Sequence, residues 1–145
     1  MAKAKTGVPG VLNATNDLAV WAETPPAHLD AIAQEHWTDT LHAFSGTYTF
    51  DQIDLSSFSL MCEAWSEFVR ASAGLKKEQE EGVSNGIYTV TKNGNIIQHP
   101  LVSVKNQAAE RYLRFAKEFG MTPAARAKIA ENQVSTVDKL KKYMG

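Results

Sequence analysis

Most of the positive charge in this 145-residue chain lies in its final segment. Residues 1–100 contain six Lys and Arg against twelve Asp and Glu, a balance of −6, whereas residues 101–145 contain nine against four, a balance of +5. Cationic side chains that neutralise phosphates supply most of the non-specific affinity of a protein for nucleic acid. The candidate DNA-binding residues are therefore the nine cations of the final segment: Lys105, Arg111, Arg114, Lys117, Arg126, Lys128, Lys139, Lys141 and Lys142.

Two other interpretations of this charge stay open. The opposite balances of the two parts also suit head-to-tail attraction between copies of the chain. Glu110 and Glu118 each lie four residues from Arg114, so this helical face equally suits ordinary surface ion pairs. The net charge of −1 argues against a protein that coats nucleic acid by charge alone.

Side chains of the types that bind divalent metals recur in the first predicted helix. His28, Glu35, Asp39 and His42 fall on one helical face, with spacings that a metal site uses. A solvated polar face opposite Trp37 explains the same pattern, and this is the interpretation that the sequence favours. We therefore predict no metal site and no cofactor.

No catalytic constellation is visible in the sequence. Cys62 is the only cysteine and lies in an apolar periodic stretch, which favours core packing over a reactive thiol. His99 directly precedes Pro100, where its side chain can cap a helix, and neither a nucleophile nor an acidic partner lies nearby in sequence. A phosphate-binding Gly-Lys-Ser/Thr loop is also missing. We predict no catalytic residues and a protein that is not an enzyme.

The elements that position these residues are mainly helical. We predict a flexible arm over 1–23, a helical oligomerisation core over 24–131, and a basic C-terminal segment over 132–145. Within the core, Thr24 and Pro25 begin a helix that ends near Gly46, and a second, long helix follows from an Asp51 cap to Gly82. Asn93-Gly94 predicts a tight β-hairpin over 87–98. Two further helices follow, from Pro100 to Gly120 and from Thr122-Pro123 onwards. No run of 18 apolar residues predicts a membrane span.

The long second helix carries two adjoining apolar stripes. The first helix can cover one stripe, which leaves the other for a partner. We expect this second stripe to form a subunit interface, and its residues are Leu60, Ala64, Phe68, Ala71 and Leu75. The alternative is that the third helix covers it, so that both stripes are buried within one chain.

Taken in order, these landmarks resemble the small terminase subunit of tailed double-stranded-DNA bacteriophages, of the type found in cohesive-end phages. The similarity spans roughly residues 24–130. It is carried by Pro25-Pro26, Leu29, Trp37, Asp54-Leu55, Met61-Cys62-Glu63-Ala64-Trp65, Gly94-Asn95, His99-Pro100, Phe119-Gly120-Met121-Thr122-Pro123 and Arg126. Asp51 stands where the family commonly has Thr or Ser, which keeps the capping chemistry. Ala125 stands where the family usually has a Ser before the arginine, so this chain lacks that hydroxyl.

The resemblance implies a protein that assembles as a ring and recognises the packaging-initiation region of the viral double-stranded DNA. It also implies that the protein regulates a separate large terminase subunit, which carries the ATPase and the nuclease, in the cytoplasm of the infected bacterium. Two alternatives are a head-to-tail connector or adaptor, which needs no affinity for DNA, and a small transcriptional regulator, which predicts a two-fold dimer. A metal-dependent nuclease is the least favoured class.

Overall fold

The computed structural model describes residues 14–44 and 50–144, which form five helices and one two-stranded antiparallel sheet. The elements in chain order are α1 (Ala14–Ala22), α2 (Ala31–Phe44), α3 (Asp54–Glu80), β1 (Tyr88–Val90), β2 (Ile96–Gln98), α4 (Pro100–Glu118) and α5 (Pro123–Met144). The mainly helical fold with a small hairpin and two C-terminal helices is as predicted. None of the described helices is long and apolar enough to cross a membrane.

The first helix region differs from the prediction. A flexible arm was expected up to residue 23, but α1 occupies residues 14–22 and buries Leu18 and Ala22 in the core. The first part of the predicted arm, residues 1–13, lies outside the described residues. The side chains of α2 hold α1 in place, because the indole Nε1–H of Trp37 donates to the carbonyl of Trp21 at 2.7 Å.

The start of α2 is also later than predicted. A proline disfavours the helical conformation of the residue before it, and Pro25 and Pro26 together separate α1 from α2. The Thr24 hydroxyl bonds back to the carbonyl of Val20 instead of capping a new helix. Asp30 supplies the cap, because its carboxylate accepts the backbone N–H of Ala33 at 2.9 Å.

The long helix α3 makes half of the predicted capping arrangement. The Asp54 carboxylate accepts the backbone N–H of Asp51 at 3.0 Å, but the Asp51 carboxylate accepts from Gln52 and not from the helix itself. The helix therefore begins at Asp54. After it ends at Glu80, Gly82 adopts a φ of 71°, which glycine tolerates far better than other residues.

Most of the second apolar stripe of α3 is covered within one chain, as in the alternative that the third predicted helix covers it. Ala64, Ala71 and Leu75 are buried, and α4 is the element that packs most extensively on α3. The approach is close, since a Cβ at Gly74 would lie 2.8 Å from Leu101. Leu60 alone of the five expected interface residues remains largely exposed, at 52%, while Phe68 is half-buried.

Two aromatic clusters join the helices. In the core, Phe58 contacts Trp37, Phe50 and Phe119 with ring centroids 5.0–5.5 Å apart, so α2, α3 and the end of α4 meet at one point. Along the other side of α3, His36 stacks on Trp65 at 4.9 Å and its Nε2 lies 3.2 Å from the hydroxyl of Tyr112. Burial lowers the pKa of His36 and raises that of Tyr112.

His99 links the hairpin to the helices. The strands pair with Thr89 opposite Ile97, a register that leaves the three residues 92–94 in the loop, whereas a two-residue Asn93-Gly94 turn would place Thr89 opposite Gln98. Gly94 has a φ of 83°, and Asn93 does not share its positive φ. The backbone N–H of His99 donates to the carbonyl of Ile87 at 2.8 Å. Its Nδ1 accepts the N–H of Leu101 and thus caps α4, which leaves the opposite nitrogen as the N–H that donates to Glu78 at 2.7 Å.

The C-terminal boundary at residue 132 has no counterpart in the structure. Gly120 ends α4 with a φ of 66°, and the Thr122 hydroxyl accepts the N–H of Ala125 at the start of α5. From there α5 runs without interruption to Met144, because no Gly or Pro occurs after Pro123 until the last residue. Its 22 residues extend about 33 Å.

We predict that His99→Ala lowers the free energy of unfolding by about 1 to 2 kcal/mol, because α4 loses its cap and Glu78 loses its partner. His99→Asn, which keeps a capping acceptor, should recover part of this loss. Chemical denaturation followed by circular dichroism measures both. A stability of His99→Ala equal to that of the unchanged protein would contradict the role of His99 as a link.

We also predict that the protein loses stability as the pH falls below about 6.5, the ordinary value for histidine. Burial holds the pKa of His36 below that value in the folded state, despite the nearby charge of Asp39. The unfolded chain therefore binds a proton that the folded chain does not, which favours unfolding at low pH by at most about 1.4 kcal/mol per pH unit. Denaturation at pH 5.5 to 8 should show this slope, and His36→Gln should flatten it. An unchanged slope in His36→Gln would assign the pH dependence to other groups.

Candidate nucleic-acid interface

Three of the nine predicted DNA-binding residues are engaged within the chain. The Lys105 ammonium lies 5.6 Å from the centre of the Phe68 ring, and Arg111 forms an ion pair with Glu67. Arg126 donates to the carbonyl of Met121 at 3.1 Å, next to the turn between α4 and α5. These contacts orient each cation toward the protein, and they weaken the case that these side chains bind a phosphate.

The other six cations, all exposed, have no ion pair within residues 14–44 and 50–144. Arg114 and Lys117 belong to α4, and the rest belong to α5: Lys128, Lys139, Lys141 and Lys142. At about 100° per residue, Lys128, Lys139 and Lys142 share one side of α5 within roughly 60°. Lys141 lies on the opposite side.

One line of positive charge results from this geometry. Lys117 and Lys128 both line a shallow groove between the end of α4 and the start of α5, together with Glu118, Thr122 and Asn132. Lys139 and Lys142 continue the line along α5, about 21 Å beyond Lys128 at its far end. We call the set Lys117, Lys128, Lys139 and Lys142 the basic ridge. Solvated cations along a straight, exposed helix are suited to contact with a phosphate backbone.

The opposite side of α5 is apolar, which the sequence analysis missed. Ala130, Val134, Val137, Leu140 and Met144 are spaced by three or four residues and form the apolar stripe of α5. Val134 is 62% exposed and Leu140 is 54% exposed. The signal was present as helical spacing, but the division of the chain at residue 132 separated Ala130 from the rest.

The metal-type residues do not converge. His28 lies before α2 and is 3.8 Å from Glu63, so it does not share the helical face of Glu35 and Asp39. His42 contacts Glu23 at 2.8 Å. Among the residues that the structure describes, no group of three or more His, Cys, Asp or Glu has the geometry to hold a metal ion. Glu35 and Asp39 are exposed carboxylates on α2.

A polar network joins α2 to α3 beside this face. Asp30 accepts from the buried hydroxyl of Ser66 at 2.5 Å and pairs with Arg70 at 3.3 Å. The Ser66 hydrogen bond is the main reason that the pKa of Asp30 is lowered, followed by the backbone N–H of Ala33. These partners explain the polar side chains of the cavity that Asp30, Ser66 and Arg70 line. The network is structural.

Cys62 offers no nucleophile. It is fully buried among core residues, and burial raises the pKa of its thiol to about 12. A neutral, inaccessible thiol is unreactive at physiological pH. The prediction that Cys62 serves as core packing agrees with this position.

Comparison with known families shows which family the chain resembles. The family model described as phage terminase, small subunit, matches residues 33–135, which run from α2 into α5 and make up most of the chain. The chain belongs to the phage terminase small-subunit family. No curated protein and no solved structure matches the chain significantly. The family match covers the start of the basic ridge, but Lys139 and Lys142 of this small terminase subunit lie beyond it.

Family membership fixes the general role of the chain. It is a small subunit of a terminase, the phage machinery whose partners in general are DNA and a large subunit, and such small subunits are generally non-catalytic. The geometry adds that the cations of this small terminase subunit fall into two groups, one bound to its own side chains or backbone and one exposed.

Proposed function

We propose that this small terminase subunit binds the viral double-stranded DNA at the packaging-initiation site and regulates the ATPase and nuclease of the large subunit. It does so as a cyclic homo-oligomer in the cytoplasm of the infected bacterium, and it carries no catalytic site or cofactor of its own. The observation that carries the DNA-binding part is the basic ridge. Family membership supports the remainder.

The ridge suits a polyanion for two physical reasons. Its four lysines form no ion pair within the described residues, so DNA would gain their full charge without displacing a carboxylate. Three of them also project from the continuous helix α5, and Lys117 projects from the adjoining end of α4, which keeps the charges at fixed spacing. Lysine contacts a phosphate as a point charge, and such contacts fix position without reading bases.

Sequence preference then arises from repetition. One ridge of four cations gives only weak, salt-sensitive binding. Several copies in one assembly that engage the same duplex bind with much greater avidity, provided that the DNA can reach successive ridges. A duplex that bends easily contacts the basic ridges of more copies in the assembly. DNA deformability therefore selects the binding site without a recognition helix.

We predict that replacing Lys128, Lys139 and Lys142 by Ala weakens duplex binding by about tenfold or more near 0.1 M salt. The slope of log association constant against log salt concentration should become shallower by roughly 2 to 3 for each engaged copy, because about three phosphate contacts are lost. Fluorescence anisotropy with a labelled duplex measures both quantities.

The matched control replaces three lysines elsewhere on the surface, Lys76, Lys77 and Lys92, which removes the same charge. The first two already pair with Glu80 and Glu81 at 3.8 Å. The control should bind almost as tightly as the unchanged protein. Equal losses in both triple variants would show that net charge alone matters, and salt-independent or undetectable binding would favour a connector over a DNA-binding subunit.

A further inference from the structure

Most of helix α5 is exposed to solvent, and a helix exposed to this extent is rarely stable in water on its own. Beyond Ile129, every α5 side chain that the structure describes is exposed, and no described helix or strand packs extensively on this element. No ion pair within α5 compensates for this among the described residues. Helices of this length without tertiary packing are marginal, so α5 needs a surface that covers its apolar stripe.

Lys141 restricts what that surface can be. At about 100° per residue, Lys141 projects within the apolar stripe itself. Val134 and Val137 flank it on the preceding turns, and Met144 lies near it on the following turn. A surface that covers the stripe must therefore supply a carboxylate for this ammonium group, because an unpaired charge is costly to remove from water. Pairing two α5 helices through their stripes brings together two elements that each carry five cations against two acids, and DNA offers no apolar cover.

A surface with these properties lies on α2. Ala31, Glu35, Asp39 and Ala43 follow one another at four-residue intervals, and all four are exposed. Such an i, i+4 row is the ridge along which a second helix packs. Small alanines at both ends permit a close approach, and two carboxylates occupy the middle. We call these four residues the acidic row.

The segment that carries the acidic row has a negative charge balance, although Asp30 is paired with Arg70 of α3. Residues 14–44 contain Asp17, Glu23, Asp30, Glu35 and Asp39 and no Lys or Arg at all, whereas α5 contains five cations and two acids. Within the described residues, Glu35 and Asp39 have no ion-pair partner in their own chain. Opposite charge on the two surfaces favours their encounter and sets their relative orientation.

We infer that the apolar stripe of α5 in one copy docks on the acidic row of α2 in the next copy, with Lys141 between Glu35 and Asp39. The occupant is a second copy of this chain, because the two surfaces are complementary and both are unoccupied within one chain. The apolar stripe and the acidic row are different surfaces of the chain, so the contact between copies is head-to-tail. Such a contact closes into a ring when the rotation from one copy to the next permits. The inference rests on the proposed self-assembly and specifies its interface.

This docking leaves the proposed DNA contact free. Lys128, Lys139 and Lys142 lie on the side of α5 opposite the apolar stripe, so they remain exposed when the stripe is covered. One helix then holds neighbouring copies together with one side and presents the basic ridge with the other. The spacing of successive ridges in the assembly is set by the same contact.

Charge exchange tests the inference. Lys141→Glu alone, and Glu35→Lys with Asp39→Lys, should each lower the oligomer mass in size-exclusion chromatography with light scattering, and raise the concentration for half-dissociation about tenfold or more. The chain that carries all three substitutions should return to within about threefold of the unchanged protein, because the ion pair is restored with reversed sign. Thermal melting confirms that each variant is folded.

The control places two negative charges on the other side of α5, through Asn132→Asp with Ser135→Glu, and should leave the oligomer mass unchanged. An oligomer that none of the charge exchanges disturbs would overturn the docking and leave the proposed function standing. Dissociation that the triple exchange does not reverse would also overturn it. A monomeric unchanged protein that still binds duplex DNA through the basic ridge would refute the docking and the self-assembly, but not the DNA contact.

Discussion

The packing of α4 along α3 determines what the rest of the chain is free to do. Burial of Ala64, Ala71 and Leu75 by this contact completes the cover of α3, with α2 on its other side. The chain therefore builds its core from its own helices. Within the described residues, α5 then leaves an apolar side without cover, and we propose that this C-terminal surface, and not the central helix, serves assembly.

The same contact divides the basic residues. Arg111 and Lys105 project from α4 toward α3, where they meet Glu67 and the ring of Phe68. Lys117 and the lysines of α5 have Glu118, Glu131 and Asp138 near them but form no ion pair within the described residues, so they stay solvated.

Several elements follow directly from local sequence. Asn93-Gly94, Pro100 and Gly120 each impose a backbone conformation that few alternatives satisfy, and the hairpin, α4 and its end occur where these residues predict. The helix α1 was missed because its stability comes from Leu18 and Ala22 packing against α2, which composition does not reveal. We expected another subunit to cover the second apolar stripe of α3, because amphipathic spacing identifies a buried face but not the element that packs on it.

The candidate site was predicted only in part. Sequence analysis located the nine cations, but the Glu67–Arg111 pair spans 44 residues and is invisible without the fold. The basic and apolar sides of α5 follow from residue spacing when residues 123–144 are taken as one helix. No Gly or Pro after Pro123 interrupts this segment. Our proposal that one side faces a partner and the other faces DNA rests on charge as well as on periodicity.

We propose that α5 is held in place by a neighbouring copy. Hydrogen–deuterium exchange, measured at concentrations above and below oligomer dissociation, tests it most directly. The account predicts that amides of residues 130–144 are protected in the assembly and exchange almost freely after dissociation, while those of the buried part of α3 stay protected in both. Equal protection of α5 in assembled and dissociated protein would contradict it.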